Sequence, residues 1–167
     1  RRISELYVDP VSGVVIRDAL RNRASILSDL SFLHLVAHTP DMFPKMRPYS
    51  QEIDELALFL DQHRSELMFD VPTEWEDRIT YENFLGEAKT AWVLQAWIEE
   101  VTEEQLIEQF RVQPGDLYRA LDSARWLLYA SHELGQLFEH KDILKSLNMV
   151  VERIKKGVKA ELLPLVK

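Results

Sequence analysis

Arg119 and Trp126 stand seven residues apart inside an unbroken helical pattern over 114–138. At about 100° per residue, seven steps return a side chain to nearly the same side of a helix, roughly 10 Å further along its axis. Leu117, Ala120, Leu121, Ala124, Leu127, Leu128, Ser131, Leu134 and Phe138 gather on one broad apolar face. Arg119 and Trp126 project almost opposite that face, and Asp122 and Glu133 share their side. An indole and a guanidinium plane in register can each lie flat against an aromatic ring. Every nucleobase presents such a ring, and each stacked base contributes about 1–3 kcal/mol. A helix so equipped would grip an unpaired strand without reading its sequence. The same pattern has a second reading. In a bundle the long helix can be enclosed on several sides, with Trp126 packed under a neighbour and Arg119 paired with an acid. Periodicity alone leaves both open.

Other chemistry finds little support. His34 and His38 have the four-residue spacing that lets two imidazoles share a metal, but Leu35 occupies the place where a metalloprotease helix needs glutamate. The residues three positions before the five histidines are Ser31, Leu35, Leu60, Tyr129 and Leu137, so the Glu-x-x-His pair of carboxylate-bridged metal bundles is missing. His34 and His38 are therefore expected at the core edge or the surface, with no metal. The chain has no cysteine, which excludes disulfides and thiol nucleophiles and suits a reducing interior such as the cytoplasm. Neither a phosphate-cradling G-x-x-x-x-G-K-[ST] loop nor G-x-G-x-x-G nor G-x-S-x-G occurs. No residue is assigned a catalytic role and no cofactor is expected on this chain. The helix over 102–110, the turn at 111–115 and the following helix imitate a helix-turn-helix. Asp116, Leu117 and Tyr118 stand where base-edge readers belong, which argues against duplex recognition.

The elements that must position these residues are all helical. Asp9-Pro10 starts a helix to about residue 21, and Ser28-Asp29 opens an apolar segment over 30–38, closed by Thr39-Pro40. Residues 41–48 form a proline-rich loop. Ser50 is expected to cap a helix in which Ile53, Leu56, Leu60 and Leu67 recur, and the acidic stretch over 69–78 is a solvated loop. Thr80 should start a long helix to about residue 100. Thr102-Glu103-Glu104-Gln105 is a capping box for a helix ending near Phe110, and Pro114-Gly115-Asp116 introduces the longest helix. Segments over 142–155 and 158–163 complete the count. The expected class is an all-α, multi-helix bundle of about seven helices with one long central helix. Its 167 residues, 46% of them apolar, suffice for one domain with a real core. No apolar run reaches the length of a membrane span, and no secretory leader is visible. The first residue is not methionine, so the chain reads as a piece of something longer. The net charge of −8 opposes an anionic partner, but residues 1–110 carry 10 basic and 21 acidic groups, whereas 111–167 carry 10 basic and 7 acidic. The C-terminal third is mildly basic.

Several segments recur in a recognisable order. These are Leu6-Tyr7-Val8-Asp9-Pro10, Leu33-His34-Leu35-Val36 with Thr39-Pro40-Asp41-Met42, Glu87-Ala88-Lys89-Thr90-Ala91 with Trp97-Ile98-Glu99-Glu100, Pro114-Gly115-Asp116-Leu117, Trp126-Leu127, and Arg153-Ile154-Lys155 with Gly157-Val158-Lys159. As a set, over essentially the whole chain, they resemble the region between the winged helix and the helix-hairpin-helix of the archaeal Hjm/HelQ-type superfamily 2 DNA helicases. The resemblance implies that residues 1–8 trail from a winged-helix domain and 9–167 form the helical ratchet domain. It implies that Arg119 and Trp126 stack on bases of the tracking strand. The parent enzyme would move 3′ to 5′ on single-stranded DNA and act at stalled or branched replication forks. Two RecA-like motor domains outside this segment would power it, using ATP and Mg. Expected partners are single-stranded or forked DNA and the motor domains of the same chain, with no membrane and a monomeric state. The rival expectation is an acidic helical interaction bundle that docks a protein and has no DNA role.

Overall fold

The computed structural model describes residues 8–23 and 27–157. Among the described residues there are seven α-helices and no strand. They are α1 (Pro10–Arg21), α2 (Asp29–Ala37), α3 (Ile53–His63), α4 (Arg78–Ile98), α5 (Glu103–Phe110), α6 (Pro114–Leu137) and α7 (Lys141–Lys156). Short 3-10 turns at Ser50–Glu52 and Arg64–Glu66 flank α3. None of these helices is long and apolar enough to cross a membrane. The segment expected over 158–163 lies outside the described residues, as do residues 1–7 of the winged-helix remnant expected over 1–8.

Local chemistry sets most boundaries. The Asp9 carboxylate accepts from the Val11 amide at 2.8 Å, and Pro10 takes the first helical position. Thr102 and Gln105 form the reciprocal capping box at α5, which Arg111 ends in the left-handed region at φ 56°. Two expected starts move. Asp77, not Thr80, caps α4, because its carboxylate accepts from both the amide and the hydroxyl of Thr80. Ser50 is the first residue of a 3-10 turn, and the Glu52 carboxylate reaches back to the Tyr49 amide at 2.9 Å. Leu67, expected on the same helix, is buried just beyond the second 3-10 turn.

The most enclosed element is α2. Leu30 through Ala37 are all buried, as expected for a helix apolar on every side. α2 packs against α1, α4, α6 and α7 and so forms the hub of the bundle. The long α6 lies against this hub with one face outward. Its apolar stripe from Leu117 to Leu134 is buried as expected, but Phe138 is 40% exposed. The helix has ended there, and the chain reverses through Glu139 at φ 62°.

α4 carries the fastenings. The Lys89 ammonium is buried and donates to Glu52 Oε1 at 2.8 Å and to the Arg47 carbonyl at 2.9 Å, lying 4.4 Å over the Tyr49 ring. The Thr90 hydroxyl oxygen accepts from the Met46 amide at 2.9 Å. A Cβ at Gly86 would meet the Met46 carbonyl oxygen at 2.9 Å, so only glycine lets the loop approach this closely. The proline-rich loop over 41–48 is thereby pinned along α4. At the other end, Arg153 of α7 is buried and holds three elements together. It pairs with Asp29 at the start of α2, donates to the Ile98 carbonyl at 3.2 Å and pairs with Glu99 at 2.7 Å.

Candidate nucleic-acid interface

Pro114 at the first helical position and the stripe facing α1, α2 and α7 fix the rotation of α6 and leave Arg119 and Trp126 on its outer side. The Arg119 side chain is 60% exposed, and its Nη2 lies 2.6 Å from Asp116 Oδ1, one turn back. Trp126 is half-buried, its ring packed against the core on one side and bordering an open cleft on the other. Neither group is sealed inside. Both halves of the alternative thus occur in weak form: Arg119 has an acid partner, at the surface, and Trp126 packs on the core while bordering the cleft.

Two walls flank this line. On one side, Ser123 Oγ donates to the Phe43 carbonyl at 2.8 Å, which brings the loop over 41–48 against α6 and leaves the Phe43 ring exposed. On the other side stands α7, whose Asn148, Val151, Glu152 and Lys155 face Asp122, Arg125, Trp126 and Tyr129 across a cleft of about 620 Å³. The outward line of α6 is legible in the sequence, whereas the loop wall is not. Its only signal was Ser123, a polar residue one turn from Arg119, and its partner lies 80 positions earlier. Tyr118 turns away: its hydroxyl donates to Glu103 Oε2 at 2.5 Å, and this hydrogen bond raises the phenol above its usual range.

His38 ends α2 at its C-cap and is partly exposed, but His34, expected at the core edge or the surface, is enclosed in the core because the helix that carries it is packed on every side. His34 is buried against Phe84, with ring centroids 5.0 Å apart, and neither ring nitrogen has a hydrogen-bond partner among the described residues. Burial pushes its pKa from 6.5 down to about 4; Glu87 opposes the shift, and His38 and Lys45 add to it. His38 stacks on Phe69 at 3.9 Å, and its Nδ1 lies 2.6 Å from Glu87, which also pairs with Lys45. No group of three or more metal-type ligands converges among the described residues. The acidic segment around Asp70, Glu74, Glu76 and Asp77 is exposed, as expected of a solvated loop.

Comparison with known proteins agrees with this architecture. Residues 30–157 match the family model described as archaeal helicase, domain 4. The chain is 36% identical over 168 residues to the ATP-dependent DNA helicase Hel308 of Pyrococcus horikoshii, covering 98% of this chain and 22% of that protein. It is 38% identical over 170 residues to the ATP-dependent DNA helicase Hel308 of Thermococcus kodakarensis, covering 100% of this chain and 15% of that protein. Against the ATP-dependent DNA helicase Hel308 of Methanocella arvoryzae it is 30% identical, over 98% of this chain and 22% of the relative. The chain thus spans about a fifth of the length of these relatives. With the family match running from the hub helix to the end of α7, and relatives aligned over nearly every residue, this chain belongs to the domain 4 family of archaeal helicases.

Proposed function

We propose that this domain grips single-stranded DNA for an ATP-dependent, 3′-to-5′ DNA helicase that works at stalled or branched replication forks. Trp126 and Arg119 would stack on bases of the tracking strand, and motor domains elsewhere in the longer chain would consume ATP with Mg. The observation that carries the reading is the line formed by an accessible guanidinium and a half-open indole on the outer face of α6. The names of the relatives give the line a DNA context. The walls on either side favour a strand over a flat protein surface, because they make a valley with Trp126 in its floor. As ATP turnover changes the distance between motor and valley, bases released from one stack and caught by the next would make the helix a pawl.

The test is Trp126→Ala in the intact helicase. Losing one stacked base should weaken single-strand binding roughly 5- to 150-fold, from about 1–3 kcal/mol. Unwinding should fall at least as far, with melting lowered by only a few degrees. Trp126→Leu, which keeps apolar contact with the core, should show the same DNA defect with less effect on melting. The proposal fails if the substitution unfolds the domain while the fraction still folded binds DNA as before. Fluorescence anisotropy with single-stranded and duplex oligonucleotides separates this reading from a protein-docking bundle. Binding of single strands that weakens as salt rises fits a DNA grip.

A further inference from the structure

We propose that the cleft between α6 and α7 is a second nucleotide subsite, which takes the base and phosphate next to the base stacked on Trp126. The inference rests on the reading of Trp126 as a base contact and extends it to residues on a second helix. Trp126 and Tyr129 are three residues apart on α6, so they are surface neighbours separated by about 4.5 Å along the axis. Tyr129 is 54% exposed and borders the same cleft, offering a second flat ring beside the indole. At about 620 Å³ the cleft lies within the range of roughly 300–1,000 Å³ typical of small-ligand sites, which accommodates a nucleotide.

The opposite wall supplies polar chemistry in the right order. Asn148, Glu152 and Lys155 follow each other at helical spacing along one line of α7. The Asn148 amide is exposed and has no hydrogen-bond partner among the described residues, so it can donate to and accept from a base edge. The charges around the cleft are mostly cancelled. Asp122 pairs with Arg125 at 3.3 Å, and Glu152 pairs with Lys156 at 3.4 Å. Lys155 is exposed and makes no ion pair among the described residues. The cleft therefore presents one uncompensated cation, two aromatic faces and one amide. A nucleotide matches this set with its phosphate, its ring and its base edge. An apolar peptide segment would leave the lysine and the amide without partners.

The experiment uses the intact helicase and a fluorescein-labelled oligo(dT), with anisotropy read across a salt titration for the wild type, Tyr129→Leu, Asn148→Ala, Lys155→Gln and Trp126→Ala. All three cleft positions are exposed, so their variants should melt like the wild type. Tyr129→Leu should weaken binding roughly 5- to 150-fold. Lys155→Gln should reduce the slope of log affinity against log salt by about 0.7, the signature of one lost phosphate contact on a single strand. Asn148→Ala should weaken binding several-fold without changing the slope. If the cleft variants bind with wild-type affinity and slope while Trp126→Ala binds weakly, the subsite is wrong and the Trp126 reading stands. If Trp126→Ala binds like the wild type, the reading beneath the subsite falls as well. If the cleft variants lower the melting temperature and leave DNA binding unchanged, the cleft seats another part of the chain, and the proposal is overturned.

Discussion

Two buried polar side chains explain more about this domain than its charged surface does. His34 lies in the core with neither ring nitrogen hydrogen-bonded among the described residues, and its pKa falls from 6.5 to about 4 because burial disfavours the imidazolium. The unfolded chain takes up a proton below pH 6.5 that the folded chain refuses. Stability is therefore highest above that pH and declines as pH falls toward 4, by roughly 3 kcal/mol in all. Below 4 the folded form protonates too, and the decline from this residue stops. His34→Leu should remove most of the stability difference between pH 7 and pH 4.5, measured by denaturant titration at both values. An unchanged difference would place the acid sensitivity elsewhere. Lys89 is the second case. Lys89→Met leaves the Glu52 carboxylate buried, with the Tyr49 amide at 2.9 Å and Arg111 at 3.5 Å as its remaining partners among the described residues. Breaking a buried pair on one side costs about 3–5 kcal/mol, which thermal melting would register as a large drop. Adding Glu52→Gln should restore part of the loss. The sequence pattern put His34 too near the surface and left Lys89 unplaced, because a histidine in an apolar run and a lysine in a helix carry no mark of how deeply the tertiary fold will bury them.

At the scale of elements, the sequence showed helix starts better than helix roles. Asp9-Pro10 and the Thr102–Gln105 box mark starts through backbone amides satisfied within a few residues, Pro114 through its fixed φ and missing amide, and all three hold. The stripe of α6 was legible for the same reason, since its period is local. The role of α2 as hub was not, because a nine-residue run that is apolar on every side has no period to reveal what surrounds it. The end of α7 shows how a local rule and a distant contact combine. Gly157 sits at φ 64°, a conformation that costs an ordinary residue about 1–2 kcal/mol. A Cβ there would also lie 3.1 Å from Cε2 and Cζ2 of Trp97, whose indole donates to the Ile154 carbonyl. Gly157→Ala should lower the melting temperature by several degrees. Any drop beyond the backbone penalty measures the push on Trp97, and a silent substitution would mean that the turn relaxes freely.

For the whole molecule, charge counting proved a poor guide. Residues 111–167 carry a basic surplus, yet Arg153 is buried as a structural tie, and Arg119, Arg125 and Lys156 each face a carboxylate one turn away. The information that positions the outer line of α6 is instead long-range. The loop on one side is held by Gly86, Lys89 and Thr90, and α7 on the other side is held by Ile98 and Glu99, all on or at the end of α4. Two jaws of a vice are thus bolted to the same bar. A tug on whatever lies between them is carried into that bar and the hub beside it, so the opening keeps its width under load. The domain can then be swung as a tool by its neighbours, changing where it bites and not how hard.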